Sequence, residues 1–105
     1  MTLEEFAAEV DRTRTRADSN HTPEQHLVGH ALGIAGEAGE VADLIKKVTL
    51  HGHPHDDAKL TRELGDVLWY VVAIGADRGI SFEAIAAANV AKLRARYPDG
   101  FTQAA

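Results

Sequence analysis

The sequence predicts an all-α fold: a bundle-type protomer of four helices, with two long antiparallel helices at its centre, that assembles into an oligomer. Three observations predict this fold. Apolar residues recur at intervals of three and four along most of the chain, as they do on a helix that packs with one face. Capping residues and proline stand where these runs begin, and segments containing glycine or proline separate them. The sequence has no run in which apolar and polar residues alternate as in a strand.

Length and composition narrow the classes of function. A chain of 105 residues predicts one domain over residues 1–105, too small to cover all of its apolar helix faces, so we expect oligomerisation. The formal net charge of −5 argues against non-specific binding to nucleic acid or to an anionic membrane. The absence of cysteine excludes disulfides and thiolate metal sites. Neither a membrane span nor a signal peptide is recognisable, so a cytoplasmic location is expected.

A first helix is predicted from Leu3 to about Ala17, because Thr2 and Glu5 have the spacing of a capping box and apolar residues follow at helical intervals. Three arginines alternate near its end and therefore spread around the helix: Arg12, Arg14 and Arg16. We interpret them as solvated side chains, with contact between one of them and a phosphate as the alternative. A polar break from Asp18 to Thr22 follows.

The second helix is predicted from Pro23 to about Thr49, with Thr22 as its N-cap. Its packing seam alternates intervals of four and three residues: Leu27, Ala31, Ile34, Ala38, Val41, Ile45 and Val48. A second stripe beside the seam has the same spacing: Gly33, Glu37, Glu40, Leu44 and Lys47. The carboxylates on this stripe are therefore expected to flank the packing seam.

The third helix is predicted from Ala58 to about Arg78, with Gly79 in the C-terminal position, and it repeats the design of the second. Its seam consists of Leu60, Leu64, Val67, Val71 and Ile74, and its adjacent stripe of Lys59, Glu63, Asp66, Tyr70, Ala73 and Asp77. We interpret Trp69 and Tyr70 as core or interface aromatics.

Ser81 is the predicted N-cap of a fourth helix from Phe82 to about Arg96. Four of the side chains in this segment are expected to pack: Phe82, Ala86, Leu93 and Tyr97. A different face holds Ile85, Asn89, Lys92 and Arg96. Alone, that face is interpreted as solvated; beside a metal site, it becomes a contact for phosphate and base.

Two carboxylate pairs carry the main chemical signal: Glu37 with Glu40 on the second helix, and Glu63 with Asp66 on the third. Residues three apart share one face of a helix. An antiparallel pairing about a turn near His51 and Gly52 would set Glu37 level with Asp66 and Glu40 level with Glu63. Four partly desolvated carboxylates in one layer repel one another, and a divalent cation relieves that repulsion.

Carboxylates on rigid helices favour Mg²⁺, with Mn²⁺ as a substitute, because hard cations prefer oxygen ligands and commonly bind phosphates as well. This set predicts metal-assisted hydrolysis of a phosphate ester or anhydride. A solvated acidic face is the alternative. A ferritin-like di-iron site is disfavoured, since that design has histidine where Glu40 and Asp66 stand.

Three histidines in the turn, His51, His53 and His55, raise a weaker hypothesis of a zinc or nickel site. Alternate residues in a loop that contains proline do not obviously converge on one ion. Contact of one of these histidines with substrate is therefore favoured over a metal site.

The acidic pairs stand inside longer motifs: Gly36-Glu37-Ala38-Gly39-Glu40-Val41, Glu63-Leu64-Gly65-Asp66-Val67-Leu68-Trp69-Tyr70, Asn89-x-x-Lys92-Leu93-Arg94 and Tyr97-Pro98-Asp99-Gly100-Phe101. In combination, these motifs resemble the MazG-like branch of the all-α nucleoside triphosphate pyrophosphohydrolases. The resemblance covers about Glu24 to Phe101, which is nearly the whole chain.

The resemblance implies Mg²⁺-dependent hydrolysis of a nucleoside triphosphate to the monophosphate and pyrophosphate by a homodimer or homotetramer. The four acidic motif residues would be the metal ligands and carry catalysis: Glu37, Glu40, Glu63 and Asp66. Four other positions match residues that help to hold the nucleotide: Lys47, Asn89, Lys92 and Tyr97. Many relatives have a further glutamate where Gly36 stands, so here a motif glutamate, or hydroxide on the metal, would serve as the base.

Two alternatives stay open. A phosphoribosyl-ATP pyrophosphohydrolase belongs to the same superfamily and would use the same acidic layer. A non-catalytic helical module would bind nucleotide or a protein partner and keep its carboxylates for structure alone.

Overall fold

The computed structural model describes residues 1–15 and 20–101, and within these ranges the chain is all-helical, with no strand. The four helices are α1 (Leu3–Thr13), α2 (Pro23–His51), α3 (Asp57–Asp77) and α4 (Phe82–Arg96). The predicted all-α protomer, with two long antiparallel helices at its centre, is therefore confirmed.

Three of the four helices begin at the predicted residue, and the third begins one residue earlier. Thr2 and Thr22 each form a capping box, and Pro23 follows Thr22 at the start of α2. Asp56 accepts a hydrogen bond from the Lys59 amide at 3.0 Å, so α3 begins at Asp57, one residue before the predicted start. Because these side chains satisfy amides that have no partner within the helix, they determine where each helix begins.

The helix ends differ more from prediction. The second helix extends to His51, because Gly52 then adopts the left-handed conformation (φ 70°) and closes the helix. The first helix ends at Thr13, earlier than predicted: Arg14 is extended (φ −73°, ψ 139°), and its side chain pairs with Asp77 of α3. Ala17, the predicted end, lies outside the described residues.

The central pair α2–α3 is antiparallel, and Tyr70 of α3 lies against Gly33 of α2. A Cβ atom at position 33 would overlap the Tyr70 ring, so only glycine permits this approach. Gly33 and Tyr70 are equally distant from the turn centre, as the predicted register requires. Gly33 belongs to the stripe that carries the carboxylates of α2. Because the two helices approach most closely on this stripe, their interface is rotated away from the predicted seam. As a result, Ile45 and Leu64 of that seam are exposed, at 51% and 50%.

The core lies between α1, α3 and α4, around the C-terminal half of α3. Three buried residues form it, Val10, Val72 and Ala73, with Phe6, Ala7, Trp69 and Phe82 packed around them. Gly75 admits the fourth helix: a Cβ there would lie 2.7 Å from the Ile80 carbonyl oxygen and 2.9 Å from Ile85 Cδ1. Ile85 therefore packs, although the sequence placed it on a solvated face. Leu93, which was expected to pack, is exposed.

Beyond this core, many large apolar side chains stay exposed on the single chain. They include Val28, Leu32, Leu64, Leu68, Val90 and Leu93. Uncovered apolar surface of this extent on a small domain is what the predicted oligomerisation requires. None of the described helices combines the length and the apolar character needed to cross a membrane.

Candidate metal centre

Three carboxylates converge between the two central helices. Glu37 of α2 and Glu63 and Asp66 of α3 each place one oxygen within 4.8 Å of the other two. Glu63 and Asp66 share a face because they are three residues apart on one helix, and the antiparallel partner supplies Glu37. Glu37 and Glu63 are half-buried whereas Asp66 is exposed, so the group is open to solvent on one side.

The group is electrostatically unfavourable without a cation. Desolvation raises the pKa of the Glu37 carboxyl above its ordinary value. The negative charges of Asp66, Glu40 and Glu63 raise that pKa further, in that order. In addition, the Oε2 atoms of Glu37 and Glu63 are buried and have no hydrogen-bond partner among the described residues.

These features fit a hard divalent cation. A buried carboxylate oxygen that has no hydrogen-bond donor is costly, and a cation satisfies it directly. The donor set contains only oxygen atoms, which suits Mg²⁺ or Mn²⁺ rather than a metal that prefers nitrogen or sulfur. The open side of the group leaves space for water and for a phosphate group.

Glu40 occupies a different position from the other three acidic residues. It is exposed and does not belong to the group whose oxygens lie within 4.8 Å of one another. Its charge nevertheless acts on Glu37, three residues earlier on the same helix. The structure therefore separates one acidic residue at the edge of the site from three that converge.

A pocket of about 290 Å³ lies next to the acidic group, lined by Glu37, Asp66, Trp69 and Tyr70. The Trp69 and Tyr70 rings meet edge to face, with their centroids 5.0 Å apart. We define these two rings as the aromatic wall of the pocket. The sequence favoured core or interface roles for them over contact with a ligand, and Trp69 does pack against the core.

The four predicted nucleotide ligands do not join this pocket within one chain. Lys47 pairs with Asp43 at 2.9 Å near the far end of α2. The other three residues stand on α4 or just after it: Asn89, Lys92 and Tyr97. In the described part of the chain, α4 contacts α1 and α3 but not α2, the helix that carries Glu37.

A buried polar cluster lies against the aromatic wall. His30 of α2 is 5% exposed, and its Nδ1 pairs with Asp77 Oδ2 at the end of α3. Asp77 Oδ1 also accepts from Arg14 Nη1 at 3.0 Å. Sequence reasoning did not single out His30. Its position on the stripe of Gly33 and Glu37, at spacings of three and four, was the available signal.

The turn histidines do not form a metal site. His51, His53 and His55 are all exposed. Over residues 1–15 and 20–101, the acidic group is the one set of three or more potential ligand side chains that converges. The weaker zinc or nickel hypothesis therefore gains no support from the structure.

Comparison with known proteins identifies a family for this chain. The chain matches the family model described as the MazG nucleotide pyrophosphohydrolase domain over residues 25–101. It is also similar to a protein of Mycobacterium phage L5 named Gene 37 protein, with 33% identity over 78 residues, which cover 69% of this chain and 67% of the phage protein. No solved structure matches the chain.

Proposed function

Because the chain belongs to the MazG nucleotide pyrophosphohydrolase domain family, we propose that it hydrolyses a nucleoside triphosphate to the monophosphate and pyrophosphate, with Mg²⁺ or Mn²⁺ as cofactor. The observation that carries this proposal is the convergence of Glu37, Glu63 and Asp66 beside an open pocket. Family membership supports pyrophosphohydrolase activity in general. The substrate, the metal and the individual residue roles are proposals.

In this proposal, Glu37, Glu63 and Asp66 hold the cation. When bound, the cation neutralises charge on the triphosphate and polarises its phosphoryl oxygens. A water molecule attacks the α-phosphorus, the bond between that phosphorus and the bridging oxygen breaks, and pyrophosphate leaves with the bridging oxygen. No covalent intermediate with the protein is required.

We assign to Glu40 the acceptance of the proton from the attacking water. Its carboxylate is exposed and lies outside the convergent group, whereas the other three acidic residues are needed as ligands. Gly36, where many relatives have another glutamate, supplies no side chain for this role. By this division of roles, Glu40 is the motif glutamate that we propose as the general base.

The aromatic wall is proposed to contact the nucleobase. Trp69 and Tyr70 present aromatic surface within the pocket that Glu37 and Asp66 also line, and aromatic rings stack with bases of any sequence. Asn89 and Lys92 would reach the triphosphate from the α4 helix of a second protomer, since α4 and α2 do not touch within the described chain. A homodimer or homotetramer would then form the complete site.

Product analysis tests the proposed function. The purified protein is incubated with Mg²⁺ and a panel of ribo- and deoxyribonucleoside triphosphates, including modified bases, and the products are separated by ion-exchange chromatography. Equal amounts of monophosphate and pyrophosphate are expected. Release of inorganic phosphate with the diphosphate, or no turnover by folded protein with Mg²⁺ present, would contradict the proposal. Phosphoribosyl-ATP belongs in the panel, because exclusive turnover of it would identify the alternative substrate.

A further inference from the structure

His30 is the buried polar residue of the described chain, with 5% of its surface exposed. One ring nitrogen, Nδ1, pairs with Asp77 Oδ2, whereas Nε2 is buried without a hydrogen-bond partner among the described residues. The Asp77 carboxylate accepts a hydrogen bond, so His30 Nδ1 must carry the hydrogen that it donates. The pair therefore fixes both the orientation of the imidazole ring and its tautomer.

Asp77 is itself held in place from a second side. The Asp77 side chain is 7% exposed, and the Arg14 side chain is 17% exposed. Arg14 Nη1 donates a hydrogen bond to Asp77 Oδ1 at 3.0 Å. The pair joins the end of α1 to the end of α3, and His30 adds α2. Three helices therefore meet at one buried carboxylate, which we call the Asp77 cluster: Arg14, His30 and Asp77.

The His30 ring contacts both members of the aromatic wall. Its centroid lies 5.7 Å from that of Trp69, edge-on at 76°, and 6.2 Å from that of Tyr70. Trp69 has a second restraint, because its Nε1 donates to Thr13 Oγ1 at 2.9 Å, at the end of α1. Tyr70 lies over Gly33. His30 itself does not line the pocket.

We infer that His30, oriented by Asp77 and Arg14, is a positioning residue that holds Trp69 and Tyr70 in the geometry that binds the nucleotide. This inference rests on the proposed function. Because His30 neither belongs to the acidic group nor lines the pocket, it acts on substrate binding through the aromatic wall and leaves metal binding and the chemical step unchanged. If the Asp77 cluster were purely structural, substitutions in it would change stability without affecting nucleotide binding more than metal binding or the chemical step.

The inference predicts a separation of kinetic constants. His30→Ala raises KM for the nucleotide by about tenfold or more, the range over which residues that orient contact groups typically act. Its kcat and its dependence on Mg²⁺ stay within about threefold of wild type, because a contact made equally in ground and transition states alters KM alone. Circular dichroism and a thermal melt establish that the variant is folded.

Two pairs of variants provide matched controls. Arg14→Ala raises KM, whereas Arg12→Ala, which removes an exposed arginine paired with Glu9 on the same helix, does not. Asp77→Asn keeps an acceptor for His30 Nδ1 but places an amide NH2 opposite the Arg14 donor, so its KM rises less than that of Asp77→Leu. Asp77→Leu, of similar size, keeps neither acceptor and behaves like His30→Ala. A rise in KM of similar size in Arg12→Ala and Arg14→Ala would overturn the inference.

Fluorescence gives a readout that does not depend on turnover, since Trp69 is the single tryptophan of the chain. In folded His30→Ala, the Trp69 emission shifts and its quenching by acrylamide increases, because the indole loses its edge contact. Unchanged emission and quenching would overturn the positioning role, whether or not the wild type hydrolyses nucleotides. Absence of turnover in the wild type, with shifted emission in the variant, would contradict the proposed function and leave the contact with the wall established.

Discussion

At the scale of single residues, Glu37 is a proposed metal ligand in an electrostatically unfavourable environment. Its carboxyl is desolvated and faces the charges of Asp66, Glu40 and Glu63, all of which raise its pKa. A cation that binds the acidic group converts this repulsion into attraction. In the proposed role, the site would therefore oppose stability in the metal-free protein and support it once a cation is bound.

Glu37→Gln is accordingly expected to raise the melting temperature of the protein in EDTA, because it removes one of the repelling charges. The same variant loses the further increase in melting temperature that Mg²⁺ produces in wild type, since bound ligand stabilises the fold by mass action. Differential scanning calorimetry with and without Mg²⁺ measures both effects. Glu24→Gln, exposed on the first turn of the same helix, is the control and should retain the Mg²⁺ effect.

The pH dependence of the metal-free protein follows from the same carboxyl. A raised pKa in the folded state means that the contribution of Glu37 to stability is fully present below its unfolded pKa. That contribution is lost as pH rises through the raised folded pKa. Urea denaturation in EDTA should therefore show a decline in stability over this range that is absent from Glu37→Gln. Identical pH profiles for the two proteins would contradict the assignment.

Glu40→Gln separates the proton acceptor from the ligands. Turnover is expected to fall by about 100-fold or more, which is the range attributed to general-base catalysis. The Mg²⁺-induced increase in melting temperature should persist, because Glu40 lies outside the convergent group. Loss of that increase would make Glu40 a ligand instead, and full activity would exclude it from the reaction.

At the scale of helices, Gly33 determines how closely α3 approaches α2. A methyl group at position 33 would overlap the Tyr70 ring, which forms part of the aromatic wall. Glycine is unfavourable inside a helix by about 1 kcal/mol relative to alanine. At this position glycine leaves the space that Tyr70 occupies. The same close approach brings Glu37 to the acidic residues of α3.

Gly33→Ala is therefore expected to destabilise the protein and to weaken nucleotide binding, despite the higher helix propensity of alanine. Gly29→Ala, on the same helix with no atom within 4 Å of the new Cβ, should stabilise by about 0.5–1 kcal/mol. Urea denaturation and nucleotide titration measure the two variants side by side. Equal gains in stability would mean that Tyr70 does not require the space at position 33.

Helix-scale features are also where prediction from the sequence succeeded best. Capping residues located all four helix starts to within one residue, because a cap is a local interaction within four positions. The end of α1 escaped prediction, since Arg14 leaves the helix for a partner 63 positions away. Periodicity also placed Ile45 in the packing seam. The closeness allowed by Gly33 instead shifted the interface towards Glu37.

The site was predictable to a similar degree. Spacing predicted that four carboxylates would share one layer, because helix period and turn position determine the register, and three of them converge: Glu37, Glu63 and Asp66. The separation of Glu40 from them depends on the rotation of two packed helices, which short motifs do not encode. The Asp77 cluster joins three helices through side chains far apart in sequence, and only His30's place on the acidic stripe pointed to it.

At the scale of the whole molecule, the single chain leaves substantial apolar surface uncovered. Leu64 and Leu68, four residues apart on α3, are 50% and 38% exposed, and Leu32 of α2 is 69% exposed. Burial of such side chains contributes about 25 cal/mol per Å². The predicted dimer or tetramer would cover this surface and bring the α4 helix of one protomer to the acidic group of another.

Light scattering coupled to gel filtration is expected to show a homodimer or homotetramer. Combining Leu64→Glu with Leu68→Glu should shift the protein towards monomer and lower its turnover, because each site would lose the residues supplied by its neighbour. Leu50→Glu, at the exposed end of α2, serves as the control and should leave the assembly intact. Full activity of a monomeric double variant would refute a shared site.

The central claim is that the three convergent carboxylates hold the cation that nucleotide hydrolysis requires. Its most direct test is the rate of pyrophosphate release as a function of Mg²⁺ concentration, measured for wild type and for Glu63→Gln. The account predicts no release by wild type in EDTA, saturation as Mg²⁺ is added, and loss of at least about 100-fold in the variant at every concentration, as expected when a ligand of a catalytic metal is removed. Release that is independent of Mg²⁺, or superimposable curves for the two proteins, would contradict it.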